Sequence, residues 1–151
     1  MKYLPYLEEE FLVTINEELT HELLAFFNGF SSWENSIVRS SEVTVSEAHA
    51  LEVLGENETM NMKGLAQKLG VTTGTTTVTV DRLEKKNFAR RESTKEDRRV
   101  NLISLTDIGR KAFEEHHDYH LRLTDQMTST LSDDEIKQFL HILKKINVET
   151  F

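Results

Sequence analysis

Apolar residues recur at steps of three and four along the first quarter of the chain: Phe11, Ile15, Leu19, Leu23, Phe26, Phe27 and Phe30, with Trp33 and Ile37 beyond. That spacing predicts one long amphipathic helix. Thr44-Val45-Ser46-Glu47 reads as a capping box, Thr44 being the N-cap and Glu47 reaching back to it. It opens a helix through Leu51 and Leu54 that is expected to stop at Gly55. Asn61 is placed to cap a short helix carrying Leu65, Ala66 and Leu69, closed by Gly70. A further helix runs from about Thr73 to Lys86, and Asn87 sits where a left-handed end residue belongs.

The period then changes. Residues 88–93 and 100–105 read as two strands joined by the polar tip Thr94-Lys95-Glu96-Asp97-Arg98. Thr106 caps a long helix from Asp107 to about Met127. Ser132-Asp133-Asp134-Glu135 is a second capping box, followed by the stripe Ile136, Phe139, Leu140, Leu143 and Ile146. The pattern predicts a mainly α chain with a small β-wing. A winged helix-turn-helix occupies 44–106, flanked by dimerisation helices at 7–38 and 107–151. Long apolar stripes at opposite ends of so short a chain are poorly covered by one copy, so a homodimer is expected.

The chain has 151 residues and a net charge of −8, which by itself argues against nucleic acid. The layout argues the other way. Residues 63–111 hold 12 of the 18 Lys/Arg and 6 of the 26 Asp/Glu, so this segment is +6 and the remainder −14. A basic middle on an acidic scaffold suits a DNA-binding module. No cysteine is present, which excludes disulfides, thiolate catalysis and Cys-type zinc sites. No apolar run approaches the roughly 18 residues of a membrane span, and Met1-Lys2-Tyr3-Leu4-Pro5 has no signal-peptide core. A cytoplasmic protein without membrane partners is expected.

In the second helix of the helix-turn-helix, Thr76, Val80 and Leu83 share one face and are expected to pack inward. Thr75, Val78, Thr79 and Arg82 are expected on an exposed face. Thr73 and Thr77 complete a set of threonines whose hydroxyls suit phosphates or base edges and whose methyls suit thymine.

Leu65 to Val71, Val80-Asp81-Arg82-Leu83-Glu84, Asp97-Arg98-Arg99-Val100, Leu105-Thr106 and Gly109-Arg110 resemble the MarR family of winged-helix transcription regulators. The resemblance implies a homodimer reading a pseudo-palindromic operator in double-stranded DNA as a repressor. One recognition helix would enter each major groove and one wing an adjacent minor groove. By position it makes Arg99 the wing arginine, Asp97 the residue that orients it and Arg98 a backbone contact, with Lys85, Lys86, Arg90 and Arg91 facing phosphates. Many members have a basic residue where this chain has Val78. Valine cannot hydrogen-bond to guanine, so contact with a thymine methyl and an A·T-rich operator are expected there.

His116 and His120 stand one helical turn apart, as a metal pair requires, and His49 is a third candidate ligand. Zinc-responsive repressors of this family use histidines at similar positions. They add a carboxylate from the first helix, where Glu17, Glu18 and Glu22 lie nearby in this chain. Repressors of fatty-acid synthesis in the same family share a His49-like residue and a His-x-x-x-His, and respond to acyl groups. The resemblance therefore implies a small-molecule or acyl-type effector, for which Phe26, Phe30, Trp33, His49 and His116 are the candidate pocket residues. No cofactor is expected, zinc at His49, His116 and His120 being the alternative. A metal-dependent enzyme built on His116 and His120 is the contrasting class. The sequence lacks a phosphate-binding Gly-rich loop, a serine-nucleophile motif and a His-Glu-x-x-His motif.

Overall fold

The computed structural model describes the backbone of residues 5–93 and 101–150, with side chains from residue 14 onward within those spans. The helices are α1 (Pro5–Val38), α2 (Val45–Glu56), α3 (Met62–Leu69), α4 (Thr73–Lys85), α5 (Asp107–Thr128) and α6 (Asp133–Thr150). The strands are β1 (Met60–Asn61), β2 (Ala89–Ser93) and β3 (Asn101–Leu105). Two compact units divide the chain, residues 1–48 and 49–151. Among the described residues no helix is long and apolar enough to cross a membrane.

In the first unit α1 runs through the whole predicted span. Phe26 and Phe30 stack at 6.2 Å between ring centroids, and Phe30 meets Trp33 at 5.5 Å. Leu19, Leu23, Phe26 and Phe27 are exposed. The capping box at the start of α2 closes as expected. The Thr44 N–H donates to Glu47 Oε2 at 2.7 Å, and the Glu47 N–H donates to Thr44 Oγ1 at 3.3 Å.

The second unit builds its core from short elements. Leu51 and Leu54 of α2, Leu65 of α3, Val80 and Leu83 of α4 and Ile103 of β3 are fully buried. Gly55 does not stop α2, which continues to Glu56. Its role is packing: a side chain on it would collide with the Phe113 ring of α5.

Asn61 caps α3 through its Oδ1, which accepts from the Gly64 N–H at 2.8 Å. Gly70 ends the helix at φ 65°, a conformation without steric cost for glycine. Asn87 takes the left-handed position at φ 58°. The sheet has the order β1-β3-β2, with β2 antiparallel to β3 from Ala89↔Leu105 to Ser93↔Asn101. The two-residue β1, absent from the sequence-based expectation, pairs Met60 with Ile103 and Asn61 with Leu102. It ties the start of α3 to the inner strand of the wing.

Thr106 Oγ1 caps α5 by accepting from the Gly109 N–H at 3.0 Å, and it donates to the Asn87 carbonyl. The second capping box also closes: the Ser132 N–H donates to Glu135 Oε2 at 2.8 Å. The α6 helix buries none of its residues in the chain.

Candidate nucleic-acid interface

The α4 helix is fixed to the body by one face and turns the other outward. Thr76, Val80 and Leu83 are fully buried, as the pattern predicts. Thr73, Thr75, Thr77, Val78 and Arg82 are exposed. Thr79 corrects the expectation: it is 7% exposed and belongs to the packed face. It lies at i+3 from Thr76, on the flank of the inward stripe, so the core reaches it.

The threonine hydroxyls are largely committed inside the helix. Thr76, Thr77 and Thr79 donate to the carbonyls of Thr72, Thr73 and Thr75 at 3.0, 2.8 and 3.1 Å. Thr72 Oγ1 caps the helix by accepting from the Thr75 N–H, and it shares a hydrogen bond with Thr75 Oγ1 at 3.0 Å. At the exposed Thr77 this back-bonding spends the hydroxyl donor and leaves its methyl outward, whereas Thr76 and Thr79 are buried. Beside the half-exposed Val78 this makes the outer face of α4 more apolar than a list of threonines suggests.

The cations sort into two groups. Lys85 is exposed at the end of α4 and Lys86 is half-buried. Arg90 is exposed, with Nε on Glu92 at 3.1 Å and on Ser104 Oγ at 3.2 Å. Arg91, expected among the phosphate-facing residues, is engaged elsewhere. Its Nη2 lies 2.7 Å from Asp81 Oδ1, its Nη1 lies 2.8 Å from Glu84 Oε2, and its backbone N–H donates to Glu84 Oε1 at 3.0 Å. It braces β2 against α4. The sequence separated these groups by seven to ten positions, and only the turn at Asn87 brings them together. Asp97, Arg98 and Arg99 lie outside the described residues.

The histidine-bearing helix is organised around α2. His116 is buried and its Nε2 lies 3.1 Å from His120 Nε2. The carboxylate that converges on them is Glu52 of α2, which sequence reasoning missed. One ligand atom each of Glu52, His116 and His120 falls within 4.8 Å of the others. His49, expected as the third member, is outside that group and exposed. Glu52 follows it by three residues, so the signal was a His-x-x-Glu spacing on one helix. The remaining candidate pocket residues differ in setting: Phe26 is exposed, while Phe30 and Trp33 are half-buried.

A helix-turn-helix whose second helix offers an outward face beside a β-wing defines a winged-helix, DNA-binding transcription regulator. The comparisons agree. The MarR family profile matches residues 43–100. The transcriptional repressor MdtR of Bacillus subtilis is 32% identical over 104 residues, covering 69% of this chain and 67% of that protein. The transcriptional regulator MhqR of the same organism is 25% identical over 114 residues, covering 76% and 79%. Streptococcus pneumoniae FabT, solved in complex with DNA, superposes with a TM-score of 0.80 at 25% identity, covering 87% of this chain and 94% of that one. The chain belongs to the MarR family. It is a regulator and not an enzyme, which removes the hydrolytic reading of His116 and His120.

Proposed function

We propose that the chain is a homodimeric repressor that reads a pseudo-palindromic, A·T-rich operator. The observation that carries this reading is the divided α4 helix: Thr76, Thr79, Val80 and Leu83 anchor it, and Thr73, Thr75, Thr77, Val78 and Arg82 face outward. A recognition helix must be held rigidly on one side and be free on the other to enter a major groove. Lys85 and Arg90 flank that face and suit phosphates. By family position Arg99 reaches the adjacent minor groove, where a narrow A·T tract attracts arginine.

Dimerisation is supported by the α6 stripe. Phe139, Leu140, Ile142, Leu143 and Ile146 are each at least 40% exposed in the single chain, and a second copy is the occupant that closed two-fold symmetry supplies. Two reading heads one helical turn apart then match two half-sites. An effector acts by favouring one spacing of the heads over another.

The test is selection from a pool of random duplexes with the full chain, followed by light scattering. The reading requires enrichment of an inverted repeat with A·T pairs under α4 and a particle of twice the chain mass. No enrichment, or a monomer on DNA, contradicts it. Footprinting with and without candidate effectors tests the last step separately: a footprint that no compound or metal changes removes the effector and leaves DNA binding standing.

A further inference from the structure

We infer that Gly74 is a specificity-determining position: its missing side chain lets α4 seat against the base edges of the major groove, and a side chain there holds the helix out. This rests on the proposal that α4 reads duplex DNA.

Placement comes first. At about 100° per residue, the buried Thr76, Thr79, Val80 and Leu83 centre on the side of α4 opposite Gly74. Gly74 therefore stands on the outermost line of the helix, with Val78 one turn further along it and Lys85 beyond. In a helix-turn-helix the residues near the start of the second helix are the ones that meet base edges.

The fold gives no reason for glycine there. Gly70 ends α3 at positive φ, while Gly55 and Gly109 have neighbours that a side chain would strike. Gly74 has helical backbone and is exposed. Among the described residues, a Cβ on it would meet only Thr72 Oγ1, at 3.8 Å, which is ordinary contact. Alanine is the better helix former, and this stretch is already rich in β-branched threonines. What glycine supplies is a bare backbone on a surface that faces outward.

The neighbours keep the same low profile. The Thr77 hydroxyl donates back to the Thr73 carbonyl at 2.8 Å. Thr75 Oγ1 shares a hydrogen bond with Thr72 Oγ1 at 3.0 Å. Both flanks of Gly74 are thus short side chains drawn onto the helix. The first bulk on the outer line is the half-exposed Val78. A helix this slim lies deeper in a groove, which brings the Val78 methyls to a thymine methyl. A Cβ at Gly74 would stand between backbone and base edges, and close-packed surfaces tolerate such excess volume poorly.

The experiment compares wild type, Gly74→Ala and Gly74→Leu in the full chain. Urea unfolding is read beside affinity for the operator that wild type selects, with its thymines replaced by uracil one at a time. Gly74→Ala is expected to unfold at no lower urea concentration than wild type, yet to bind the operator about tenfold more weakly or worse. Gly74→Leu is expected to lose more. Uracil at the thymine under Val78 weakens wild type and should leave both variants unmoved, a pattern that a merely destabilised fold does not produce. Gly74→Ala binding as tightly as wild type, or keeping the uracil effect, overturns the inference. A crystal structure of the wild-type chain on its operator decides even if a variant fails to fold. A base atom within about 4.5 Å of the Gly74 Cα supports the close approach, and no base atom that near overturns it. A wild type that selects no operator overturns DNA reading and this inference together; a selected operator indifferent to Gly74 sinks this inference alone.

Discussion

The Phe88 carbonyl oxygen occupies the space where a side chain on Gly109 would begin. The first turn of α5 therefore lies directly on the chain as it leaves α4 for β2. The Thr106 N–H donates to that same Phe88 carbonyl at 3.1 Å. Alanine in a helix is normally better than glycine by about 1 kcal/mol. Here the collision is with backbone, which cannot rotate away, so Gly109→Ala is expected to destabilise the chain by roughly 1–3 kcal/mol. Urea unfolding measures it, and a variant as stable as wild type would show that the approach is looser.

Arg91 gives a prediction that separates structure from DNA binding. It joins Asp81 and Glu84 across the turn from a site about one quarter exposed. Arg91→Ala is expected to cost on the order of 1 kcal/mol of stability, and Arg91→Lys to recover little, because an ammonium cannot span two carboxylates as a planar fork does. The salt dependence of duplex binding should be unchanged in both. A reduced salt slope would instead make Arg91 a phosphate contact.

Val78 makes a claim about one methyl group on DNA. Replacing the contacted thymine by uracil removes about 0.8 kcal/mol of apolar contact, roughly a fourfold loss in affinity. Val78→Ala should lose affinity for the thymine duplex and become indifferent to the replacement. Equal sensitivity in both proteins would remove the contact.

The second capping box carries a pH dependence. Glu135 accepts hydrogen bonds from the Ser132 N–H and hydroxyl, which hold its carboxyl below its ordinary value. A lowered value in the folded chain means that the stabilisation is complete above the ordinary carboxylate range. It is lost as pH falls through the folded value. Glu135→Gln should therefore exchange the first α6 amides faster than wild type at neutral pH. The difference should close in acid; a difference that persists there would place the cap's strength elsewhere.

Local chemistry made most of the fold legible. Caps at Thr44, Asn61, Thr106 and Ser132, the left-handed Gly70 and Asn87, and the period-two strands each depend on a few neighbouring residues. What escaped depends on tertiary placement. The β1 strand is two residues long, too short for any period, and exists because β3 offers it a partner. Gly55 resembled a helix stop, but its lack of a side chain serves Phe113. Thr79 and Arg91 were assigned by helical face and by charge sign, and neither reveals that the core or two carboxylates lie within reach. Glu52 required knowing which face of α2 meets α5, whereas the His116 and His120 pair could be read from spacing alone.

The outer face of α4 and the cations around it are the groups proposed to read duplex DNA. Equilibrium affinity of wild type, Lys85→Ala and Arg82→Ala for the selected operator and an unrelated duplex, across a range of salt, tests this directly. Steep salt dependence is expected in wild type, with a slope lower by about one in Lys85→Ala. In Arg82→Ala the specificity gap is expected to narrow by roughly 1–3 kcal/mol. Binding that ignores salt, or variants indistinguishable from wild type on both duplexes, would contradict it.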